Sequence, residues 1–365
     1  MSEGYFLTPD FGLDWLDAGG PEADIVLSTR VRLARNLQGH RYVCRASADD
    51  REIVFRTVAR AVNRSALSPD TAVWRMNELG RRTQQILLER RLVSSELIGR
   101  TAPDSGVGVA VCSGSAVSVM INEEDHLRLQ CLRSGLRLMD GWTRVDKLDE
   151  ELGGLLQLAF HHEFGFLTAC PTNVGTGLRA SALLHLPGLV LTKEIERALR
   201  GITQVGLTTR GLYGEGSEFV GNFFQISNQT TLGQGEEDLL DHLNRVVGTV
   251  LGKEREARQV LMRDAGTITE DKIWRAYGLL RYARVLDYVE LMNLLSGVRL
   301  GVSLKLLPSP PVYWLNRIMI FSQTAHLEEA AGRALSTQER RAHRALYVRH
   351  ALRGGSGSTT TDPGL

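Results

Sequence analysis

Two textures of apolar spacing divide the chain, with the change near residue 235. Before it, short apolar runs alternate with helical periods. Residues 24–32, Asp-Ile-Val-Leu-Ser-Thr-Arg-Val-Arg, predict a short strand with a polar end. Ile53, Val54, Val58 and Val62 recur on one side and predict a helix over 50–64. Val73–Met76 predicts a strand and 82–92 a helix. Val107–Cys112 and Ala116–Asn122 predict two strands joined at Ser113-Gly114-Ser115, a hairpin pattern. A helix is predicted over 144–160, a strand at Leu183–Leu186, and a helix from Pro187 to Arg200. Strands are predicted at 202–209 and at Phe219–Ser227. From Glu236 onward only helical spacing remains. Leu239, Leu240, Leu243, Val246, Val247, Val250 and Leu251 keep a period near that of the α-helix, and further helices are predicted over 270–296, 311–332 and 336–352. The expected organisation is a mixed domain over 1–235, a helical domain over 236–352, and a disordered Gly/Ser/Thr tail over 353–365.

Composition narrows the function classes. At 365 residues, 43% hydrophobic and 23% charged, the chain can bury about two domain cores. Its net charge of +1 gives no global field toward nucleic acid or membrane. Of the 43 basic residues, 38 are Arg, so a single Arg beside a motif carries little weight. Cys44, Cys112, Cys131 and Cys170 are scattered, which argues against a disulfide framework or a zinc site. His161-His162-Glu163 does not form a metal motif, because adjacent histidines do not share a helix face. No protein metal site is expected. No apolar run approaches the ~18 residues of a membrane span, and the N-terminus lacks a signal-like core. A cytoplasmic protein with reduced thiols is expected.

The candidate chemistry sits in four places. Cys170-Pro171-Thr172-Asn173-Val174-Gly175-Thr176-Gly177-Leu178-Arg179 joins a thiol, two glycines that free the main chain, and a planar cation. Arg30 and Arg32 lie two apart, so an extended chain aims both at one face. Asn122-Glu123-Glu124-Asp125-His126-Leu127-Arg128 sets three acids before a cation. Arg210-Gly211-Leu212-Tyr213-Gly214-Glu215-Gly216 is a Gly-rich loop holding a cation and a carboxylate. Each has a plain alternative: a Gly-rich turn over a buried thiol, an edge strand, a solvated helix start, an exposed hairpin loop. His126 reads as structural rather than catalytic. Together, however, the arginines and carboxylates suit transfer of phosphate to a guanidinium. That reaction needs charge stabilisation of a polyphosphate by cationic forks and carboxylates that align a planar acceptor. A guanidinium is too weak an acid for simple deprotonation, so the carboxylate acts mainly as an orienter.

These four motifs, in this order, resemble those of the ATP:guanido phosphotransferases, and within them the protein arginine kinases. The likeness covers about residues 10–350. It implies an α+β fold: an antiparallel sheet flanked by helices, followed by an all-helical C-terminal domain that dimerises. It implies ATP and Mg2+, the metal being held mostly by phosphates and water. ATP would contact Ser28, Thr29, Arg30, Val31 and Arg32; Arg91; Arg128; Arg179, Ala180, Ser181, Ala182 and Leu183; and Arg210, Gly211, Leu212, Tyr213, Gly214 and Glu215. Glu124 and Glu215 would grip the acceptor guanidinium, with Cys170 beside it as a thiolate. The implied product is phosphoarginine on protein substrates with exposed arginine, read as a mark by a Clp-type protease. The implied partners are a zinc-binding activator protein and a heat-shock repressor.

Departures from the family pattern qualify this. Phosphagen kinases place a histidine where this chain has Leu183; His185 lies two further on. Arg91 stands where protein arginine kinases often carry histidine. Their Arg-Asp-x-x-Arg-Ala phosphoarginine-reading motif is here Arg340-Arg341-Ala342-His343-Arg344-Ala345, with Arg341 replacing the acid. Weakened phosphoarginine reading is therefore expected. Alternatives are a kinase of free arginine, against which the absence of a helical domain ahead of Ser28 argues, and a non-catalytic phosphoarginine-binding adaptor.

Overall fold

A computed structural model of the chain describes residues 11–65, 71–99, 106–112, 117–211, 219–308 and 310–354. The predicted Ser113-Gly114-Ser115 turn, Leu212, Tyr213, Gly214, Glu215 and the tail beyond 354 lie outside the described residues.

The period-two runs of the first half form an eight-stranded sheet. Its strands are β1 (Val26–Arg35), β2 (Thr71–Arg75), β3 (Gly108–Cys112), β4 (Val117–Ile121), β5 (Leu127–Ser134), β8 (Leu178–His185), β9 (Leu207–Arg210) and β10 (Phe223–Asn228). β6 (Phe160–His161) and β7 (Gly165–Phe166) form a separate two-stranded hairpin. The hydrogen-bonded order is β2-β3-β4-β5-β1-β8-β10-β9, and the β2–β3, β3–β4, β4–β5 and β5–β1 pairs are antiparallel. The helices are α1 (Ala48–Arg64), α2 (Arg81–Glu89), α3 (Ser95–Ile98), α4 (Leu138–Gly153), α5 (Pro187–Leu191), α6 (Ile195–Gln204), α7 (Glu236–Tyr282), α8 (Tyr288–Ser303), α9 (Val312–Phe321), α10 (Thr324–Ala330) and α11 (Thr337–Gly354).

Several predicted elements shift for local reasons. The acids after Asn122 do not start a helix. Asn122 takes φ 57°, its N–H donates to His126 O at 3.0 Å, and the chain turns directly into β5. The predicted 144–160 helix begins earlier, at Leu138, and ends at Gly153, where two successive glycines lower helix propensity. The single helix after Pro187 is two, α5 and α6, with Lys193 at φ 64° between them. The glycine-rich stretch ends sooner than expected, so Arg179 and Ser181 already lie in β8.

The chain divides into two compact units. The first comprises the described residues of Met1–Trp15, Ser28–Ala182 and Ser227–Asn244; the second those of Leu16–Leu27, Leu183–Ile226 and Arg245–Leu365. In the first unit Trp74, Met76, Leu87, Leu92, Val109, Val111 and Met120 form one buried cluster that joins α2 to the sheet. α1 is fixed by a capping box: Asp50 N donates to Ser47 Oγ at 3.1 Å, and Ser47 N donates to the Asp50 carboxylate at 2.9 Å.

In the second unit α7 has one non-helical residue, Ala265, at φ −143° and ψ 31°. Glu254 on α7 is fully buried. It accepts from Gly188 N and Leu189 N, both at 2.9 Å, at the first turn of α5, and from Arg258 Nε at 2.7 Å. Burial pushes its carboxyl upward, and these donors oppose the shift.

A candidate anion and guanidinium site

Strand register assembles a cluster of cations in the first unit. Arg30 pairs across the ladder with Leu132, Arg32 with Gln130 and Ala34 with Arg128. Directly opposed residues share a face, so Arg30, Arg32 and Arg128 project from the same side. Thr29 and Val31 have the opposite parity. Val31 is buried with its Cγ2 close to Gly141 of α4, and Thr29 Oγ1 accepts from Arg137 N at 3.3 Å. Arg179 comes from β8, which is drawn alongside β1 where Ala34 N donates to Gly177 O at 3.0 Å.

Arg91 reaches the cluster from the end of α2. There Leu92 N bonds Leu87 O at 2.9 Å and Arg91 N bonds Leu88 O at 2.8 Å, a Schellman closure. Its left-handed position, φ 63°, holds Arg91 where glycine is usual. A non-glycine residue there costs about 1 kcal/mol. Burial of Leu87 and Leu92 on either side contributes about 1.5–3 kcal/mol each and outweighs that cost. Gln130 Nε2 ties the turn to the sheet through Arg91 O at 3.0 Å and Leu92 O at 2.8 Å. The Arg91 guanidinium donates to Ser28 Oγ at 3.3 Å and lies 5.6 Å from the Trp15 ring centroid.

Burial, and then the charges of Arg32, Arg91, Arg128 and Arg179, hold the Arg30 guanidinium well below its ordinary range. Four guanidinium groups thus act on that of Arg30 within the first unit. A like-charge pair at ~4 Å repels by ~4 kcal/mol at an effective dielectric of ~20. A polyanion entering this cluster replaces repulsion with several paired, charge-assisted hydrogen bonds.

The three acids after Asn122 have separate roles. Glu123 is fully buried; it accepts from Ser94 Oγ at 2.6 Å and pairs with Arg128 at 2.7 Å. Asp125 is also fully buried and accepts from Asn36 Nδ2 and Ala169 N, both at 2.6 Å. Burial raises its carboxyl despite those donors. Glu124 alone of the three keeps a partly open side chain, 39% exposed, with one oxygen on Arg128. Burial works against the charge of Arg128, but Glu123, Glu124 and Asp125 more than offset it, and its net shift is upward. His126 is fully buried. Leu37 N donates to its Nδ1 at 3.0 Å, so its Nε2 carries the proton that meets Arg41 O at 2.9 Å. Burial lowers its pKa and keeps the ring neutral. It is a structural histidine. Glu123 was not separable from Glu124 by sequence: both precede the strand, and only the turn at Asn122 decides which side chain goes inward.

The thiol stretch is fastened to these acids. Ala169 N bonds Asp125 beside Glu124, and the next residue, Cys170, has its Sγ 3.0 Å from Thr172 Oγ1. Cys170 is a free, partly exposed thiol. Gly175, φ 110°, packs its Cα against Thr231 O so closely that a Cβ would collide with that backbone oxygen. Gly177, φ 62°, would put a Cβ 2.6 Å from Ala34 O. Both glycines are required by close main-chain approach.

The remaining described residues of the prediction lie along β8, at the end of β9 and in α11. Ala180 and Ser181 are buried in β8, Ala180 N bonding Asn228 Oδ1 at 2.8 Å, and Ala182 is fully buried. Leu183 is 1% exposed, and His185 is fully buried in the second unit against Phe223 with Nε2 2.8 Å from Ser296 Oγ. Arg210 closes β9 in the second unit and Gly211 follows, buried. In α11, Arg340 donates to Thr337 Oγ1 at 3.1 Å and Arg341 pairs with Asp287 at 3.3 Å. Arg344 is buried and donates to Ser322 O at 2.9 Å and Leu286 O at 3.1 Å; Ala345 is fully buried. Among the described residues no group of three His, Cys, Asp or Glu could hold a metal ion, and no helix is long and apolar enough to cross a membrane.

Residues 54–257 match the ATP:guanido phosphotransferase C-terminal catalytic domain. The chain belongs to that family. Residues 267–362 match the protein-arginine kinase McsB C-terminal domain. A protein-arginine kinase of Moorella thermoacetica is 43% identical over 343 residues, 93% of this chain and 97% of that protein. One from Geobacillus stearothermophilus is 43% identical over 342 residues, 93% of each chain. This member of the family therefore groups with the protein-arginine kinases. A crystal structure of lombricine kinase has the same fold, with TM-score 0.57 and 24% identity over 68% of this chain and 71% of that one. A duplicated taurocyamine kinase from Schistosoma mansoni gives TM-score 0.55 and 23% identity over 66% of this chain and 33% of that one.

Proposed function

We propose that this chain transfers the γ-phosphoryl group of ATP to arginine side chains of proteins. The observation that supports this best is the cluster of Arg30, Arg32, Arg91, Arg128 and Arg179, with the half-open carboxylate of Glu124 ion-paired to one of its members. The arginines would neutralise the triphosphate, and Glu124, assisted by Glu215, would hold the acceptor guanidinium in line with the phosphorus. Mg2+, held by phosphates and water, would supply further charge neutralisation. Cys170 would flank the guanidinium. Glu123 and Asp125 are positioning residues in this reading: buried and hydrogen-bonded, they fix Arg128 and the thiol stretch.

Family membership also supports a protein rather than a free amino acid as acceptor, since relatives at 43% identity carry the name protein-arginine kinase. Dimerisation through the helical region, marking for a Clp-type protease, a heat-shock repressor substrate and a zinc-binding activator rest on the family resemblance alone. Incubation with ATP, Mg2+ and either casein or free arginine, followed by acid-labile phosphate analysis, tests the proposal. Label on casein but not on free arginine is expected. Label on free arginine alone would favour a metabolite kinase, and label on neither would favour a phosphoarginine-binding adaptor.

A further inference from the structure

The proposed transfer makes no use of a cavity of about 310 Å3 in the first unit. α4 presents Trp142, Asp146, Asp149 and Glu150 at helical spacing, so they share one face. With Phe166 and Glu236 they give the cavity four carboxylates and two aromatic walls. One cation already shows how this wall holds a planar charge. The Arg35 guanidinium stacks 3.4 Å from the Phe166 centroid and donates to both oxygens of Asp149 at 2.7–3.0 Å. Asp146, Glu150 and Glu236 remain. Burial, then Glu150, Asp149 and Glu236, push the Asp146 carboxyl up, a repulsion that a second cation would relieve.

The cavity adjoins an unusual surface. The hairpin of β6 and β7 exposes Phe160 (59%) and Phe164 (49%), and His161 stacks on Phe164 at 4.9 Å. Its second strand also bonds the thiol stretch: Phe166 N donates to Gly175 O at 2.8 Å, and Gly175 N to Phe166 O at 3.2 Å. Phe166 therefore belongs at once to the hairpin, to the cavity wall, and to the backbone ladder beside the Cys170–Arg179 run. Phe160 packs edge-on against the cavity's Phe166 at 5.2 Å while Phe164 is held by His161, so two exposed rings extend from the hairpin that supplies the cavity wall, and exposed aromatics of this kind suit an interaction surface.

We infer that the acidic cavity and the aromatic hairpin dock the polypeptide that carries the target arginine. The cavity takes a second cationic side chain of that polypeptide, arginine or lysine, and Phe160 and Phe164 take its apolar residues. Charge complementarity selects this occupant: the wall is anionic and aromatic, and the volume fits a long cationic side chain. Continuity with the Gly175 ladder sets the docked segment beside the candidate acceptor site. The inference rests on the proposed kinase activity for the identity of the polypeptide, but not for its binding.

The test uses the full chain and the variants D146N/E150Q and F160S/F164S, each confined to partly or fully exposed side chains. Fluorescein-labelled unfolded casein is titrated without nucleotide, and KM is measured for casein and for Nα-acetylarginine amide. Docking predicts that each variant raises the casein Kd and KM about fivefold, roughly 1 kcal/mol, with kcat and ATP affinity retained and the KM for the small amide unchanged. D146K/E150K should weaken casein further and improve binding of a polyglutamate probe. Casein affinity unchanged in both double variants overturns the inference, as does an equal rise in KM for casein and the amide. Should the native chain bind casein through this surface yet transfer no phosphate, the docking surface stands and the proposed function fails. Transfer that persists with casein affinity untouched rejects the docking surface alone.

Discussion

Arg91 shows how one residue can serve two opposed demands. It occupies a left-handed helix-closing position that favours glycine, and it adds a fifth positive charge to a repulsive cluster. Arg91→Gly should therefore raise stability, by about 1 kcal/mol or ~2–4 °C in Tm, while weakening ATP binding. Thermal melts with and without ATP check this; a variant that loses Tm and keeps ATP affinity would make Arg91 a packing residue. Glu124 differs from its neighbours in being partly open. Glu124→Gln should leave ATP binding intact and reduce phosphoryl transfer by at least ~100-fold, the scale of a lost orienting carboxylate. Retained transfer would remove it from the acceptor site. At this scale the sequence was informative about residue types but not about their directions. Period two correctly paired Arg30 with Arg32. Nothing in Asn-Glu-Glu-Asp-His distinguished the buried Glu123 and Asp125 from the open Glu124, because that depends on one positive φ at Asn122. The tautomer and orientation of His126 depend on two backbone groups, Leu37 N and Arg41 O, distant in sequence.

Elements with strong periodicity were the legible ones. α1, β3, β4 and α11 fall within two residues of their predicted bounds, because their apolar spacing and flanking turns agree. β5 was missed because a run of acids resembles a helix start, whereas its pairing with β1 and β4 is decided by long-range contacts. The α8–α11 region adds a charge rearrangement. Arg341, at the position where the family resemblance leads one to expect an acid, pairs with Asp287 at the N-cap of α8. Burial-independent donors, first Glu290 N and then Arg341, hold the Asp287 carboxyl below its usual range. Arg344 is already committed to two carbonyls. Phosphoarginine affinity should accordingly rise about tenfold in Arg341→Asp; equal affinity in the two proteins, measured by calorimetry, would contradict it. His185 links β8 to α8 through Ser296. Burial, then Arg299 and Arg258, depress its folded-state pKa well below 6.5. The unfolded chain thus binds this proton first, and stability present above pH ~6.5 is lost as pH falls toward the folded value. The slope of Tm against pH below ~6.5 should flatten in His185→Gln; an unchanged slope would assign the acid sensitivity to other groups.

The whole molecule separates its charges although its net charge is only +1. In the first unit, guanidinium groups gather on the face carrying Arg30 and Arg32, while carboxylates line the cavity beside α4. A triphosphate and a cationic polypeptide are the two ligands such a division suits, and they are the two reactants of the proposed transfer. This segregation could not be read from composition, since the abundance of arginine blurs the meaning of any one of them. Its cationic half became legible only through four motifs in a fixed order, a pattern that chance arginine content does not produce; the carboxylates beside α4 lie outside all four. The most direct test of the account is the identity of the phosphorylated group after incubation of the native chain with ATP, Mg2+ and casein. Phosphorus NMR of the product should show an acid-labile N–P bond on arginine, absent with Glu124→Gln. Phosphate found on serine, threonine or tyrosine oxygen, or on no protein residue at all, would contradict it.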